Sequence, residues 1–247
     1  MDNKLWFVPT GVGDAFSELS YSSSLYIGYN DFNIAIDCPH PYRKILKEAA
    51  ASSKKNLKLE NLNAIIITHL HSDHISGLEG VGFYSKYISD FKLDLFAHKD
   101  VMKNLWTYQL MGAMAPINEK EERRRKFEDF FNPVTFDTPV TKIGPFEISY
   151  KFTIHHVPTT ALKIKAGNYT LGYSADTAYD KSLIEWLDPC DMIIHETNDG
   201  SHTHYNRLRQ LPDEIKNKMK LIHYPDNFHL RQGIIEPLIE GRLYTVE

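Results

Sequence analysis

Four side chains able to hold a metal ion fall within a six-residue stretch of this sequence: His69, His71, Asp73 and His74. They directly follow Ala64-Ile65-Ile66-Ile67, an apolar run with three β-branched isoleucines that reads as a buried strand. Imidazole and carboxylate at this density suit a divalent ion of intermediate softness, with zinc the first choice. His69 and His71 are two apart, so in an extended turn both point the same way and hold one ion. Asp73 and His74 follow at the start of a helix and turn towards a second ion. Any one of these histidines has a structural explanation; four ligand-type residues straight after a buried strand do not.

The elements that must position such a site repeat one arrangement. Phe146 to Ile154 reads as a strand and leads into His155-His156. Tyr169 to Tyr173 leads to Asp176, Met192 to Ile194 to His195-Glu196, and Lys220 to Ile222 to His223. Delivery of His or Asp at one strand end after another is hard to explain by packing. It is natural for a site built along one edge of a sheet sandwich. Leu5 to Val8 reads as a further strand, and Ser24 to Tyr29 with Phe32 to Asp37 as a hairpin around Asn30-Asp31. Lys92 to Phe96 and Ala161 to Lys165 are strands, and Tyr42 to Ala51 is an amphipathic helix. Gly11 to Phe16 is a turn and no phosphate loop, since neither Lys-Ser/Thr nor a helix follows. Cys38, and His98 alone after its strand, read as structural. Residues 99 to 132 are the least regular part. The methionine-rich segment Leu110 to Pro116 there is either local core or an exposed lid or dimer contact, and the charges from Glu119 to Lys126 form a solvated face.

Composition sets the bounds. A chain of 247 residues, 42% hydrophobic and 24% charged, can bury a sizeable core. With no repeat or low-complexity segment, 1–247 is expected to be one domain. A formal net charge of −4 weighs against a protein that relies on phosphate attraction to hold nucleic acid. Two cysteines are too few for a disulfide framework and fit a reducing cytoplasm. No apolar stretch is long enough to span a bilayer, and the first residues lack a signal-peptide layout. A cytoplasmic protein without a membrane or stable nucleic-acid partner is expected.

The run from His69 to His74 carries in full the His-x-His-x-Asp-His signature, and here the chain resembles the metallo-β-lactamase-fold superfamily. That resemblance implies an α/β fold, a four-layer αββα sandwich. It also implies a ligand set: His69, His71 and His155 on one ion, Asp73, His74 and His223 on the other, and Asp176 bridging the two. His155 is preferred to His156 because His155-His156-Val157-Pro158-Thr159 resembles the ribonuclease Z pattern. His156, one residue along an extended chain, would then face away.

Two ions a few ångströms apart can activate water near neutral pH and neutralise charge on phosphoryl oxygens. The leaving oxygen still needs a proton, for which histidine is the natural donor. The segment from His195 to His204 resembles that of ribonuclease Z-like phosphodiesterases. It makes His202 the donor, with Leu208 at the expected distance beyond it, and His204 the alternative. Glu196 would orient the donor, and Asp73 would double as acceptor for the attacking water. Asp14, in the first loop, is placed beside the site. The arm with which ribonuclease Z clamps tRNA is missing, which favours a small phosphodiester. Gly13-Asp14-Ala15-Phe16, Asp37-Cys38-Pro39, the insertion from Leu105-Trp106 to Phe131, and Leu221 to Asp226 resemble the anti-Pycsar phosphodiesterases of phages and bacteria. That likeness implies hydrolysis of 3′,5′-cyclic nucleotides (cAMP, cGMP, cCMP, cUMP) with two Zn2+ (Mn2+ or Fe2+ also suiting the ligands), suppressing antiphage signalling. It further implies a homodimer in which residues 106–118 of one subunit cover the neighbour's site. Tyr108, Tyr173 and Phe16 are candidates to stack on the base. A lactonase or thioester hydrolase, a tRNA-processing endonuclease and a sequestering protein remain open at this point.

Overall fold

A computed structural model describes residues 3–116, 124–228 and 233–247. Among them, strands β1 (Trp6–Gly11), β2 (Ser24–Tyr29), β3 (Phe32–Ile36), β4 (Ala64–Ile67), β5 (Leu93–His98) and β6 (Phe131–Phe136) lie in one sheet with β14 (Tyr244–Thr245). Its order is β14-β1-β2-β3-β4-β5-β6, and β3 through β6 run parallel. The second sheet holds β7 (Thr141–Ile143), β8 (Phe146–Phe152), β9 (Thr160–Ala166), β10 (Tyr169–Tyr173), β11 (Met192–Glu196), β12 (Met219–Ile222) and β13 (Glu236–Pro237). There β10 through β13 are parallel.

The central strand shows why this sequence makes a sandwich. All four residues of β4 are buried. Ala64 and Ile66 join the core between the sheets, while Ile65 and Ile67 join a second core under helices. Those helices are α1 (Tyr42–Ser53), α2 (Ser72–Ile75), α3 (Leu78–Tyr87), α4 (Lys99–Asn104) and, after a π-helical turn over Leu105–Leu110, α5 (Met111–Met114). A third core, with Leu183, Ile193, Leu208 and Leu221, lies between the second sheet and helices α6 (Lys181–Leu187), α7 (Tyr205–Leu208) and α8 (Asp213–Asn217). The layers are therefore αββα, as the motif implied. Among the described residues no helix is long and apolar enough to cross a membrane.

Phe146 shows how the inter-sheet core is filled. Its ring is fully buried and meets Tyr29 and Phe32 edge-on, with centroids 6.5 and 6.1 Å away. Phe146→Ala should lower unfolding stability by about 3–5 kcal/mol, read from a urea midpoint. A loss under about 1 kcal/mol would mean that the ring is not held as described.

The described part of the insertion is better packed than expected. It ends at Phe130, because Phe131 already pairs with Leu93 as the first residue of β6. Leu105, Leu110 and Met114 are buried in the helix-side core, and Trp106 stacks on Phe127 at 5.4 Å. The methionine segment is thus core on one face, with Gly112 and Ala113 exposed on the other, and Tyr108 just before it stands 76% exposed. Residues 117–118 of the expected cover, and most of the charge run, lie outside the described residues. His98 is structural: it is buried, accepts the Asp100 N–H at 3.2 Å at the start of α4, and packs on Phe136, Tyr150 and Phe152.

Candidate metal centre

The parallel strands of both sheets end on one edge, the position where open α/β sheets place their ligands. After β4 the chain delivers His69 and His71, with Asp73 and His74 in α2. After β10 it delivers Asp176, within β11 Glu196, and after β12 His223. Two backbone devices turn these side chains inward. Ala175 and His223 take positive φ angles of 50° and 57°, a region costing a non-glycine residue about 1–2 kcal/mol. Gly77 lets the chain break between α2 and α3: a Cβ there would lie 2.5 Å from the Pro39 carbonyl oxygen. The Cys38 N–H can then bond the His74 carbonyl (2.7 Å), and Gly77 N–H the Cys38 carbonyl (2.8 Å), clamping the loop after β3 to the histidine turn.

One set of ligand atoms comes from His69, His71, His155 and Asp176, and another from Asp73, His74 and His223; within each, the atoms lie within 4.8 Å of one another. His71 Nδ1 stands 3.1 Å from His69 Nε2 and 3.2 Å from His155 Nε2. Asp176 Oδ2 is 3.6 Å from His69 Nε2 and 3.5 Å from His223 Nε2, and its Oδ1 is 3.5 Å from His74 Nε2. Asp73 Oδ2 is 3.3 Å from His74 Nε2 and 3.5 Å from His223 Nε2. Asp176 thus belongs to the first set and lies 3.5 Å from two ligand atoms of the second.

These spacings fit metal ions. Zinc–nitrogen bonds of about 2.0–2.1 Å in a tetrahedral shell set neighbouring ligand atoms about 3.3 Å apart. Three imidazole nitrogens that converge in this way suit a cation between them, which would meet all three lone pairs at once. The Nε2 atoms of His74 and His223 are buried without a hydrogen-bond partner, an arrangement native interiors avoid. The electrostatics agree. Burial holds His69 well below the usual imidazole range, with His74 adding to the effect, and burial lowers His155 to about 4. At the other set burial also opposes charge on His223, yet Asp176, Asp73 and Glu196 push it up to about 10. Asp176 and Asp37 likewise raise His74 against its burial. One half offers neutral imidazoles and the other a field that demands positive charge.

Behind the ligands lies a supporting set. Glu196 is buried; its Oε1 accepts the Thr177 N–H (2.5 Å) and the His202 Nδ1–H (2.9 Å), and its Oε2 is 3.7 Å from His223 Nδ1. The bond to Glu196 holds His202 above the usual imidazole range. His202 also brings a ring nitrogen within 4.8 Å of ligand atoms of Asp176 and His223. Asp14 accepts from Asn198 Nδ2 at 3.0 Å and so ties the first loop to the His202 segment.

Three sequence-based expectations need correction. His204 is exposed and turns to Asp199 and the Gly200 carbonyl, away from the cluster. Tyr173 is 1% exposed within the inter-sheet core, so it cannot stack on a ligand; Phe16 is 89% exposed. His156 does not face away: its Nε2 lies 2.7 Å from His71 Nε2. Strand β8 stops at Phe152, and bent backbone follows, so strand alternation does not apply at 155–156.

One supporting residue escaped the sequence reading. Asp37, fully buried at φ 62°, accepts from Thr68 N–H (2.9 Å), the Thr68 hydroxyl (2.9 Å) and His74 Nδ1–H (2.8 Å). Its signal was an aspartate closing a strand as the candidate ligands do. Asp37→Asn places an amide against His74 and should weaken zinc affinity about 10–100-fold in chelator competition. Asp37→Ala, which strands buried donors, should cost about 3–5 kcal/mol of stability. Unchanged affinity in the asparagine variant would remove Asp37 from the site.

Fold and site together define a metal-dependent hydrolase of the metallo-β-lactamase fold. The fold matches the Bacillus subtilis metallo-β-lactamase fold protein YhfI (TM-score 0.79, 19% identity, 98% of this chain and 99% of that one). It also matches the short form of human tRNase Z (TM-score 0.70, 14% identity, 98% and 99%). The family model for Anti-Pycsar protein Apyc1 matches residues 5–236, and the chain belongs to that family. Anti-Pycsar protein Apyc1 of Bacillus phage vB_BsuM-Goe3 is 30% identical over 88% of both chains, and that of Bacillus phage BSP38 28% identical over 96% of both. At 28% identity, 94% of the chain also matches 21% of a cAMP/cGMP-dependent 3′,5′-cAMP/cGMP phosphodiesterase B from Dictyostelium discoideum.

Proposed function

We propose that this protein, as one domain over 1–247, hydrolyses 3′,5′-cyclic nucleotides to nucleoside monophosphates and so suppresses cyclic-nucleotide antiphage signalling in the host cytoplasm. The observation that carries the reading is the pair of adjacent ligand sets with Asp176 between them, in a chain whose relatives include a cyclic-nucleotide phosphodiesterase. His69, His71 and His155 would hold one ion, Asp73, His74 and His223 the other, with Asp176 between them. Two zinc ions suit this set, and manganese or iron could replace them. When bound, such ions supply Lewis acidity: they lower the pKa of water and neutralise charge on phosphoryl oxygens.

The chain's own groups do the rest. The attacking water gives one proton to solvent, and Asp73 accepts a hydrogen bond from the O–H that remains and orients it towards phosphorus. As the new P–O bond forms, one ring ester P–O bond breaks. His202, held through Nδ1 by Glu196, gives its Nε2 proton to the leaving oxygen. Exposed Tyr108, on a segment anchored by Leu105, Leu110 and Met114, suits residues 106–118 to cover a neighbouring subunit's site in a homodimer.

The test is product analysis on a panel of cAMP, cGMP, cCMP and cUMP, with the protein metal-loaded or chelator-treated. Linear monophosphates formed only with metal support the reading. An intact panel overturns it, and lactones, thioesters and tRNA precursors would follow as substrates.

A further inference from the structure

We propose that His156 is a positioning residue for the metal centre: it accepts the outward N–H of His71 and fixes the ring that faces the ion. This rests on the reading of His71 as a ligand. His71 turns Nδ1 to the cluster, 3.1 Å from His69 Nε2 and 3.2 Å from His155 Nε2. A neutral imidazole that ligates through Nδ1 carries its proton on Nε2. That nitrogen lies 2.7 Å from His156 Nε2, with the ring centroids 4.4 Å apart and the planes 35° from each other. His156 Nε2 is therefore the acceptor, and the His156 proton sits on Nδ1.

Each of three candidate ligands of this centre then has its own outer partner. His69 Nδ1 meets the Thr68 hydroxyl at 3.0 Å, His74 Nδ1 meets Asp37 at 2.8 Å, and His71 meets His156. Such partners set the tautomer and orientation of a ligating imidazole. His71 needs one most, because it is only half-buried and no packing holds its ring as firmly as that of the fully buried His69. The bend after β8 supplies it, setting His155 towards the ion and its neighbour behind His71.

The test is zinc affinity by chelator competition on metal-free wild type, His156→Ala, His156→Gln and His156→Arg, with the cobalt-substituted spectrum as a second readout. His156 is exposed, so metal-free melting temperatures should stay together. Water can take over the lost acceptor role, so alanine is expected at the lower end of the usual range, a loss of about tenfold, with a shifted cobalt spectrum. Glutamine has a carbonyl acceptor and should restore affinity to within about threefold; arginine has only donors and should not. Equal affinity in alanine and wild type overturns the proposal. Equal loss in all three variants overturns it too, since the imidazole would then be a ligand itself. Wild type that takes up no ion removes the ligand reading beneath it, and is told apart from these by its own titration.

Discussion

Asp176→Ala is expected to abolish turnover, by at least about a thousandfold, and to strip metal from both halves of the site. The expectation comes from its position. Its Oδ2 faces His69 and His155 of the first set and His223 of the second, and its Oδ1 faces His74, so it reaches ligands of both sets. Removing it also sets the buried rings of His74 and His223 against one another without the charge that raises both. Asp176→Asn keeps the volume and one acceptor oxygen, and should retain part of the metal while losing the shared charge. Metal content by elemental analysis, beside cyclic-nucleotide turnover, reads both effects. An alanine variant with full metal content would contradict a shared ligand.

His202→Ala is the second large effect, and its signature is different. Turnover should fall about 10²–10⁴-fold, the usual contribution of a proton donor, while metal content stays at the wild-type level. The ring is held by Glu196 at 2.9 Å and groups with Asp176 and His223, but with neither the His69, His71 and His155 cluster nor Asp73 and His74. Glu196→Gln should slow turnover less, because the amide oxygen still accepts the Nδ1–H. Loss of metal from His202→Ala would make that residue a ligand and vacate the donor's role. His204→Ala, on an exposed ring turned to Asp199, should leave turnover unchanged.

Much of this site was legible in the chain because its chemistry is local. His69 to His74 needs only a buried strand before it, and three isoleucines announce one. Asp176 and His223 were legible for the same reason, each closing an apolar run, and the αββα layering followed from that signature. What was not legible depends on geometry made by distant parts. Asp37 looks like an ordinary strand end until a left-handed backbone and the clamp at Gly77 set it behind His74. Strand alternation turns His156 outward, and it fails there because β8 has already ended at Phe152. The short edge strands β7, β13 and β14 have two or three residues each, too few for any periodicity, and exist only because a neighbour offers free backbone groups. The methionine segment admits two readings because its pattern is two-sided, with Met114 buried beside Phe131 and Gly82, and Gly112 and Ala113 left in solvent.

The most direct measurement is a zinc titration of the chelator-stripped protein, with hydrolysis of a cyclic nucleotide followed against zinc bound per chain. Two ligand sets joined by Asp176 predict turnover that is absent without metal and saturates at two ions per chain. Saturation at one ion, or hydrolysis that survives complete removal of metal, would contradict the dinuclear centre on which the proposed chemistry depends.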